Sequence, residues 1–146
     1  MSIERICQRQ VDVAELGETV QAIADRMRQH TVGCLVVVDD AGRPIGIVTD
    51  RDLVIRVLAE GMDPYTTRIE RAMTFDVKTV PCDGSIEQAL RVMRGGSFRR
   101  VPVVDEAGKL AGLVTLDDVL RLLVEEFSQA GHVLERETPL AAATAC

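Results

Sequence analysis

The sequence predicts an α/β protein, of the α+β kind, made of two copies of one β-α-β-β-α unit. The string GRPIGIVTDRDLV at residues 42–54 returns as GKLAGLVTLDDVL at residues 108–120, displaced by 66 positions (112 − 46) without a gap. In both copies, short β-branched runs alternate with apolar residues at helical spacing. A repeat of this period marks one folding unit. A unit of about 60 residues is barely stable alone, so we expect the two copies to pack face to face around a shared core.

The elements of the first unit follow from its periodicity. Apolar residues at i, i+3, i+4 and i+7 predict a helix after a short opening strand. Two β-branched runs around an Asp- and Gly-containing turn predict a hairpin, and helical spacing returns after Thr49 until Gly61 ends it. The predicted elements are a strand at 11–13, a helix with Val20, Ile23, Ala24 and Met27 on its apolar face, strands at 34–38 and 45–49 joined by residues 39–42, and a helix at 50–60.

The second unit repeats this order. Ser85 and Gln88, three residues apart, form a capping box for its first helix. The predicted elements are a strand at 77–80, a helix at 85–94, strands at 101–104 and 110–115, and a helix from 116 to about 129, with a short helical turn at 69–73 before them. The predicted boundaries are residues 1–60 for the first unit, 61–72 for a linker, 73–130 for the second unit and 131–146 for a mobile tail.

Composition and charge bear on which partners, location and metal sites the protein is expected to have. The net charge of −6 disfavours nucleic acid as a partner, because such binding needs Lys and Arg against phosphates. We find neither an apolar run long enough to cross a membrane nor a signal peptide, and we expect a cytoplasmic protein. The four cysteines lie far apart, without a CxxC pair or nearby histidines. They indicate buried thiols and no metal site.

Each unit carries the string T-x-x-D where its last strand meets its last helix, at Thr49 and Asp52 and again at Thr115 and Asp118. Backbone N–H groups at a helix start form a natural phosphate seat, and the Asp offers a carboxylate to the hydroxyls of a ribose. The same spacing also fits an ordinary capping box, worth about 1 kcal/mol of helix stability. Spacing alone does not separate the two interpretations, although the repeat context favours contact with a nucleotide.

The two in-register strings, Gly46–Asp52 and Gly112–Asp118, with the phrase VPVVDEAGKLAGLVTLDDVL, resemble the CBS (cystathionine β-synthase) domain. The resemblance covers residues 3–128 and is to a stand-alone bacterial pair of such domains, packed with pseudo-two-fold symmetry. It implies a module that binds adenosine-containing ligands such as AMP, ADP, ATP, NAD or S-adenosylmethionine. It also implies assembly as a dimer.

The resemblance further implies a crossed arrangement with two composite sites. One would combine Thr49, Asp50 and Asp52 with Thr79, Arg99 and Arg100, and the other Thr115 and Asp118 with Asp12, Val32, Gly33 and Cys34. Arginine suits phosphate because its planar fork bonds two oxygens. Only the first site is expected to hold such cations, so the second would be empty or would prefer an uncharged adenosine moiety.

We therefore expect a non-catalytic regulatory protein that responds to an adenine nucleotide and acts on an unknown effector protein. No nucleophile–base pair, metal-ligand cluster or phosphate-binding loop motif occurs in the sequence. The alternative is a structural dimerisation module without ligand binding. Excess apolar residues on the two T-x-x-D helices predict a homodimer that associates through them.

Overall fold

A computed structural model describes residues 1–96 and 98–137. Seven strands and four helices follow one another in chain order within this part of the chain. They are β1 (Val13–Glu15), α1 (Val20–His30), β2 (Cys34–Val38), β3 (Pro44–Thr49), α2 (Asp50–Leu53), β4 (Thr74–Phe75), β5 (Val80–Pro81), α3 (Ile86–Gly96), β6 (Arg100–Val104), β7 (Leu110–Thr115) and α4 (Leu116–Glu137). A π-helical segment, Val54–Leu58, continues α2, and 3-10 turns occupy Ile3–Arg5 and Ile69–Arg71.

The strands form two small mixed sheets, ordered β1-β2-β3-β4 and β5-β6-β7. In both sheets the opening strand is parallel to the next one, which then pairs antiparallel with its hairpin partner. The hairpin turns are alike, because Gly42 and Gly108 both adopt the left-handed φ that such turns need. This mixed architecture of two equivalent α/β units confirms the predicted fold class.

The two units exchange their leading segments. The 3-10 turn at Ile3–Arg5 belongs to the core of the second unit, and the turn at Ile69–Arg71 to the core of the first. Ile3 and Ile69 are both completely buried. Each unit is therefore completed by residues that precede the other one in the chain.

The exchanged segments explain the glycines of the repeated motif. A Cβ at Gly46 would lie 2.6 Å from the carbonyl oxygen of Thr74, and one at Gly112 would lie 2.8 Å from that of Gln8. Glycine at these positions lets a neighbouring backbone approach the hairpin closely.

Burial divides between two unit cores and a smaller cluster between them. The cluster is formed by Val36, Val38 and Ile47 of the first unit with Leu113 of the second. The shared core that the sequence predicted is limited to this cluster. Most of the buried apolar residues lie in the core of one unit or the other. The segment expected as a linker is part of the first core, since Ile69 and Ala72 are buried there.

Several predicted elements are corrected. The opening strand is Val13–Glu15 instead of 11–13, because pairing with β2 starts only after the Asp12 carbonyl accepts from the Val36 amide at 3.0 Å. Of the residues predicted as a strand at 77–80, only Val80 lies in one, and that strand is β5 (Val80–Pro81). Asp76 has a φ of 54°, and the chain passes there from β4 of one sheet to β5 of the other.

The last helix continues past its predicted end near Gln129 to Glu137. Gly131 does not stop it, because its neighbours are mostly good helix formers and one glycine costs only about 1 kcal/mol. The helical turn expected at 69–73 is confirmed at Ile69–Arg71. The mobile tail stays a prediction, and residues 138–146 of it lie outside the described residues.

Candidate functional site

The T-x-x-D motif of the first unit forms a complete capping box. The Asp52 amide donates to the Thr49 hydroxyl at 3.2 Å, and the Thr49 amide donates to one Asp52 carboxylate oxygen at 2.9 Å. The other carboxylate oxygen lies 3.8 Å from the Arg56 guanidinium. The motif therefore does act as a helix cap. One of the two Asp52 carboxylate oxygens takes no part in the cap.

The second motif is capped in the same way but holds an additional partner. The Thr115 amide donates to Asp118 at 3.1 Å, and the Asp118 amide donates to the Thr115 hydroxyl at 3.1 Å. The side-chain amide of Gln8 also donates to both Asp118 oxygens, at 3.2 and 3.1 Å. A ligand that used this carboxylate would have to displace Gln8, whereas the Asp52 oxygen outside the cap has only the more distant Arg56 guanidinium, at 3.8 Å, beside it in the described part of the chain.

The first motif opens into a cavity of about 290 Å³, here called the first cavity. It brings together five of the six residues expected for this site. Its lining residues are Ile47, Thr49, Asp50, Arg51, Asp52, Thr74, Val77, Phe98, Arg99 and Arg100. The first unit supplies the helix start, and the second unit supplies Arg99 and Arg100.

Thr79 does not line the first cavity. Its place is taken by Thr74 and Val77, because β4 and the turn that follows it lie beside β3. Phe98 and Arg51 also line this cavity and were not predicted. A signal for Arg51 was available, since it lies inside the repeated motif between two predicted site residues.

The second motif opens into a separate cavity of about 300 Å³, the second cavity. All six residues expected for it are present. Its lining residues are Gln8, Gln10, Val11, Asp12, Val32, Gly33, Cys34, Arg100, Leu113, Thr115, Asp117, Asp118 and Arg121. The expectation that only the first site holds cations is wrong, because Arg100 and Arg121 both line this cavity. Arg121 follows Asp118 by three residues on α4, and this spacing places both on one helix face.

Polar partners shape the second cavity. Asp12 contacts the His30 ring through its carboxylate. Burial raises the pKa of the Cys34 thiol to about 11, against the opposing effect of the Arg100 charge. Cys34 is therefore a neutral thiol in the lining of this cavity, and it is half-buried instead of fully buried as the sequence predicted.

Metal-ligand clusters and membrane-spanning helices are two other features that could indicate a function. Among the residues that the structure describes, no three His, Cys, Asp or Glu side chains cluster as metal ligands would. Within the same residues, no helix is both long and apolar enough to cross a membrane.

The order of elements, the paired motifs and the crossed cavities together identify the family. The CBS domain family matches the chain twice, over residues 3–59 and 69–125. This protein belongs to the CBS domain family. Its two domains form a tandem pair, and the boundaries of the match include the exchanged segments at Ile3 and Ile69.

Two relatives share sequence with most of the chain. Hypoxic response protein 1 of Mycobacterium tuberculosis is 41% identical over 108 residues, 74% of this chain and 75% of that protein. An uncharacterized protein of Methanopyrus kandleri is 38% identical over 122 residues, which cover 84% of this chain but only 62% of that relative.

Two similar solved structures contain adenosine compounds. One is a CBS domain pair in complex with 5-methylthioadenosine and S-adenosyl-L-methionine, with a TM-score of 0.75, 26% identity, and coverage of 86% of this chain and 98% of that one. The other is CBSX2 in complex with AMP, with a TM-score of 0.74, 25% identity, and coverage of 85% and 97%.

Proposed function

We propose that this chain is a non-catalytic regulatory module that binds an adenosine-containing ligand in the first cavity and signals its presence to a partner protein. The observation that carries the proposal is the composition of that cavity, where the capped helix start at Thr49 and Asp52 faces Arg99 and Arg100 of the other unit. The binding of S-adenosyl-L-methionine and of AMP by similar CBS pairs supports this ligand class.

The residues of the first cavity fit the parts of such a ligand. The Asp52 oxygen outside the cap is a strong acceptor for ribose hydroxyls, because hydrogen bonds to a charged group are worth about 1.5 to 3 kcal/mol. Arg100 and Arg51 offer guanidinium groups to phosphate. Ile47, Val77 and Phe98 give one part of the wall an apolar surface that suits an adenine ring.

AMP, ADP and ATP are the ligands that best match this charge pattern. NAD and S-adenosylmethionine contain the same adenosine unit and belong to the same proposal. Thr79, predicted for this site, has no place in the cavity lining and no role in the proposed contacts.

We further propose a homodimer, based on apolar residues that both units expose at equivalent positions. Val54 and Leu58 after α2 are 52% and 72% exposed, and their counterparts Leu120 and Val124 in α4 are 51% and 68% exposed. Apolar residues repeated at the same exposed positions of two units indicate an interaction surface. A second copy of the chain would cover both pairs at once, and the cytoplasmic location expected from the sequence is part of this proposal.

The alternative is a structural dimerisation module without a ligand. The complete capping boxes favour it, because they give Thr49 and Asp52 a role that needs no nucleotide. The two proposals differ in what a nucleotide does to stability.

Thermal unfolding with AMP, ADP, ATP, NAD, NADH and S-adenosylmethionine separates the proposals. A ligand at 100 times its dissociation constant adds about 2.7 kcal/mol of stability, so at least one of the six should raise the melting temperature. Asp52→Asn, which keeps an oxygen acceptor for the cap, should abolish most of that rise. If none of the six changed the melting temperature, the structural alternative would be favoured.

A further inference from the structure

Arg100 lies in the wall between the two cavities and lines both of them. It is the first residue of β6 and pairs across the hairpin with Thr115, the capping residue of the second motif. Its counterpart in the first unit, 66 positions earlier, is the uncharged Cys34, which pairs with Thr49. The pair of cavities therefore has one central guanidinium where a symmetric arrangement would have two.

Within the described residues, Arg100 forms no ion pair, unlike its neighbour Arg99, whose guanidinium lies 3.1 Å from Asp117. The Arg100 charge nevertheless acts inside the second cavity, since it opposes the rise in the pKa of the Cys34 thiol. Arg100 is thus a cation that is available to a ligand on either side.

The charges of the two cavities depend on where this arginine points. The first cavity holds Arg51, Arg99 and Arg100 against Asp50 and Asp52, and the second holds Arg100 and Arg121 against Asp12, Asp117 and Asp118. With Arg100 turned toward one cavity, the other loses a positive charge. Because Arg99 and Asp117 already pair with each other, the first cavity keeps Arg51 in that case, whereas the second keeps Arg121 against Asp12 and Asp118.

We propose that the second cavity also takes a phosphate-bearing adenosine ligand, and that Arg100 binds the phosphate in one cavity at a time, so that two nucleotides bind the chain with negative coupling. This inference rests on the proposed function, because it needs nucleotide binding in the first cavity. The first nucleotide enters the first cavity and draws Arg100 toward it. The second nucleotide then meets a more negative cavity and binds more weakly.

The coupling acts through the phosphate alone. Adenosine carries no charge, so its binding in one cavity leaves Arg100 available to the other. Two adenosine molecules should bind independently, although each more weakly than AMP. Adenosine is therefore the matched control for AMP, because it differs from it by the phosphate group.

Calorimetric titration of the full chain with AMP tests the proposal through a double-mutant cycle. The wild type should bind two AMP molecules per chain, in a tight and a weak step. In Asp52→Asn, which impairs the first cavity, the second cavity should bind AMP at least fivefold more tightly than it does in the weak step of the wild type, because Arg100 is no longer occupied.

The same Asp52→Asn change is then made in an Arg100→Ala background. In the Arg100→Ala background, Asp52→Asn should no longer raise the AMP affinity of the second cavity. This comparison separates the role of Arg100 from the direct effect of removing the Asp52 charge. Arg51→Ala serves as the control, because Arg51 lines the first cavity only. It should weaken the tight step while the gain caused by Asp52→Asn persists.

One AMP per chain at saturation, or an unchanged second cavity in Asp52→Asn, would overturn the inference and leave the proposed function standing. The inference would also be overturned if Asp52→Asn raised the AMP affinity of the second cavity equally in the wild-type and Arg100→Ala backgrounds. Absence of AMP binding to the wild type, together with absence of binding by the other adenosine ligands, would overturn the proposed function itself.

Discussion

The Thr49 amide donates to the Asp52 carboxylate at 2.9 Å, while the Thr49 hydroxyl accepts from the Asp52 amide at 3.2 Å. This reciprocal pair fixes the start of α2 and at the same time orients the carboxylate at the edge of the first cavity. Capping and ligand binding are therefore two uses of the same side chains. They can be separated by substitutions that affect only one of them.

Asp52→Ala should lower the free energy of unfolding by about 1 kcal/mol, because it removes a hydrogen bond to the first turn and a favourable charge at the helix start. Asp52→Asn should lose much less, since its side-chain oxygen can still accept from the Thr49 amide. Urea denaturation without ligand measures both. Equal losses for the two variants would show that the cap depends on charge alone.

Ile3→Ala and Ile69→Ala should each lower the free energy of unfolding by about 2 to 5 kcal/mol, because each removes a fully buried side chain from the core that it completes. Glu4→Ala, at an exposed neighbouring position, is the control and should change it little. Denaturant unfolding of the three variants measures the effect. A wild-type stability for Ile3→Ala would contradict the exchange of leading segments.

Burial raises the pKa of the Cys34 thiol from 9.0 to about 11, so the folded chain holds this proton more tightly than the unfolded chain. The stabilisation is complete below pH 9 and is lost as the pH rises through about 11. The difference in free energy of unfolding between wild type and Cys34→Ala should therefore be constant below pH 9 and fall above it. A difference that stayed flat to pH 11 would contradict the burial of this thiol.

Light scattering at micromolar concentration should return twice the 16.0 kDa mass of one chain. Glutamate at both Leu58 and Val124 should give the monomer, because it places charges on the exposed apolar positions of both units. Lys109→Glu, at an exposed position in a hairpin turn, is the control and should leave the dimer intact. A monomeric wild type would contradict the proposed assembly.

The sequence predicted best where local pattern decides structure. The strands at Cys34–Val38 and Leu110–Thr115 have the bounds that their β-branched runs predicted. The Ser85 and Gln88 capping box is also confirmed, with hydrogen bonds of 2.9 and 3.2 Å. These features depend on neighbours in the chain.

Features that depend on distant contacts were predicted less well. The exchange of Ile3 and Ile69 was missed, although IER at residues 3–5 and IER at 69–71 are displaced by the same 66 positions (69 − 3) as the rest of the repeat. The passage between the sheets at Asp76 left no pattern that predicts it. Arg100 was placed in one cavity, because a crossed arrangement read from sequence does not reveal that two cavities share a wall.

The central claim is that the cavity containing Asp52 binds the adenosine ligand most tightly. Calorimetric titration of AMP into wild type, Asp52→Asn and Asp118→Asn tests it most directly, because both variants keep their caps and lose one carboxylate charge. We expect the tighter step to weaken about tenfold or more in Asp52→Asn and much less in Asp118→Asn, whose carboxylate already binds Gln8. An equal or larger loss in Asp118→Asn would contradict the account.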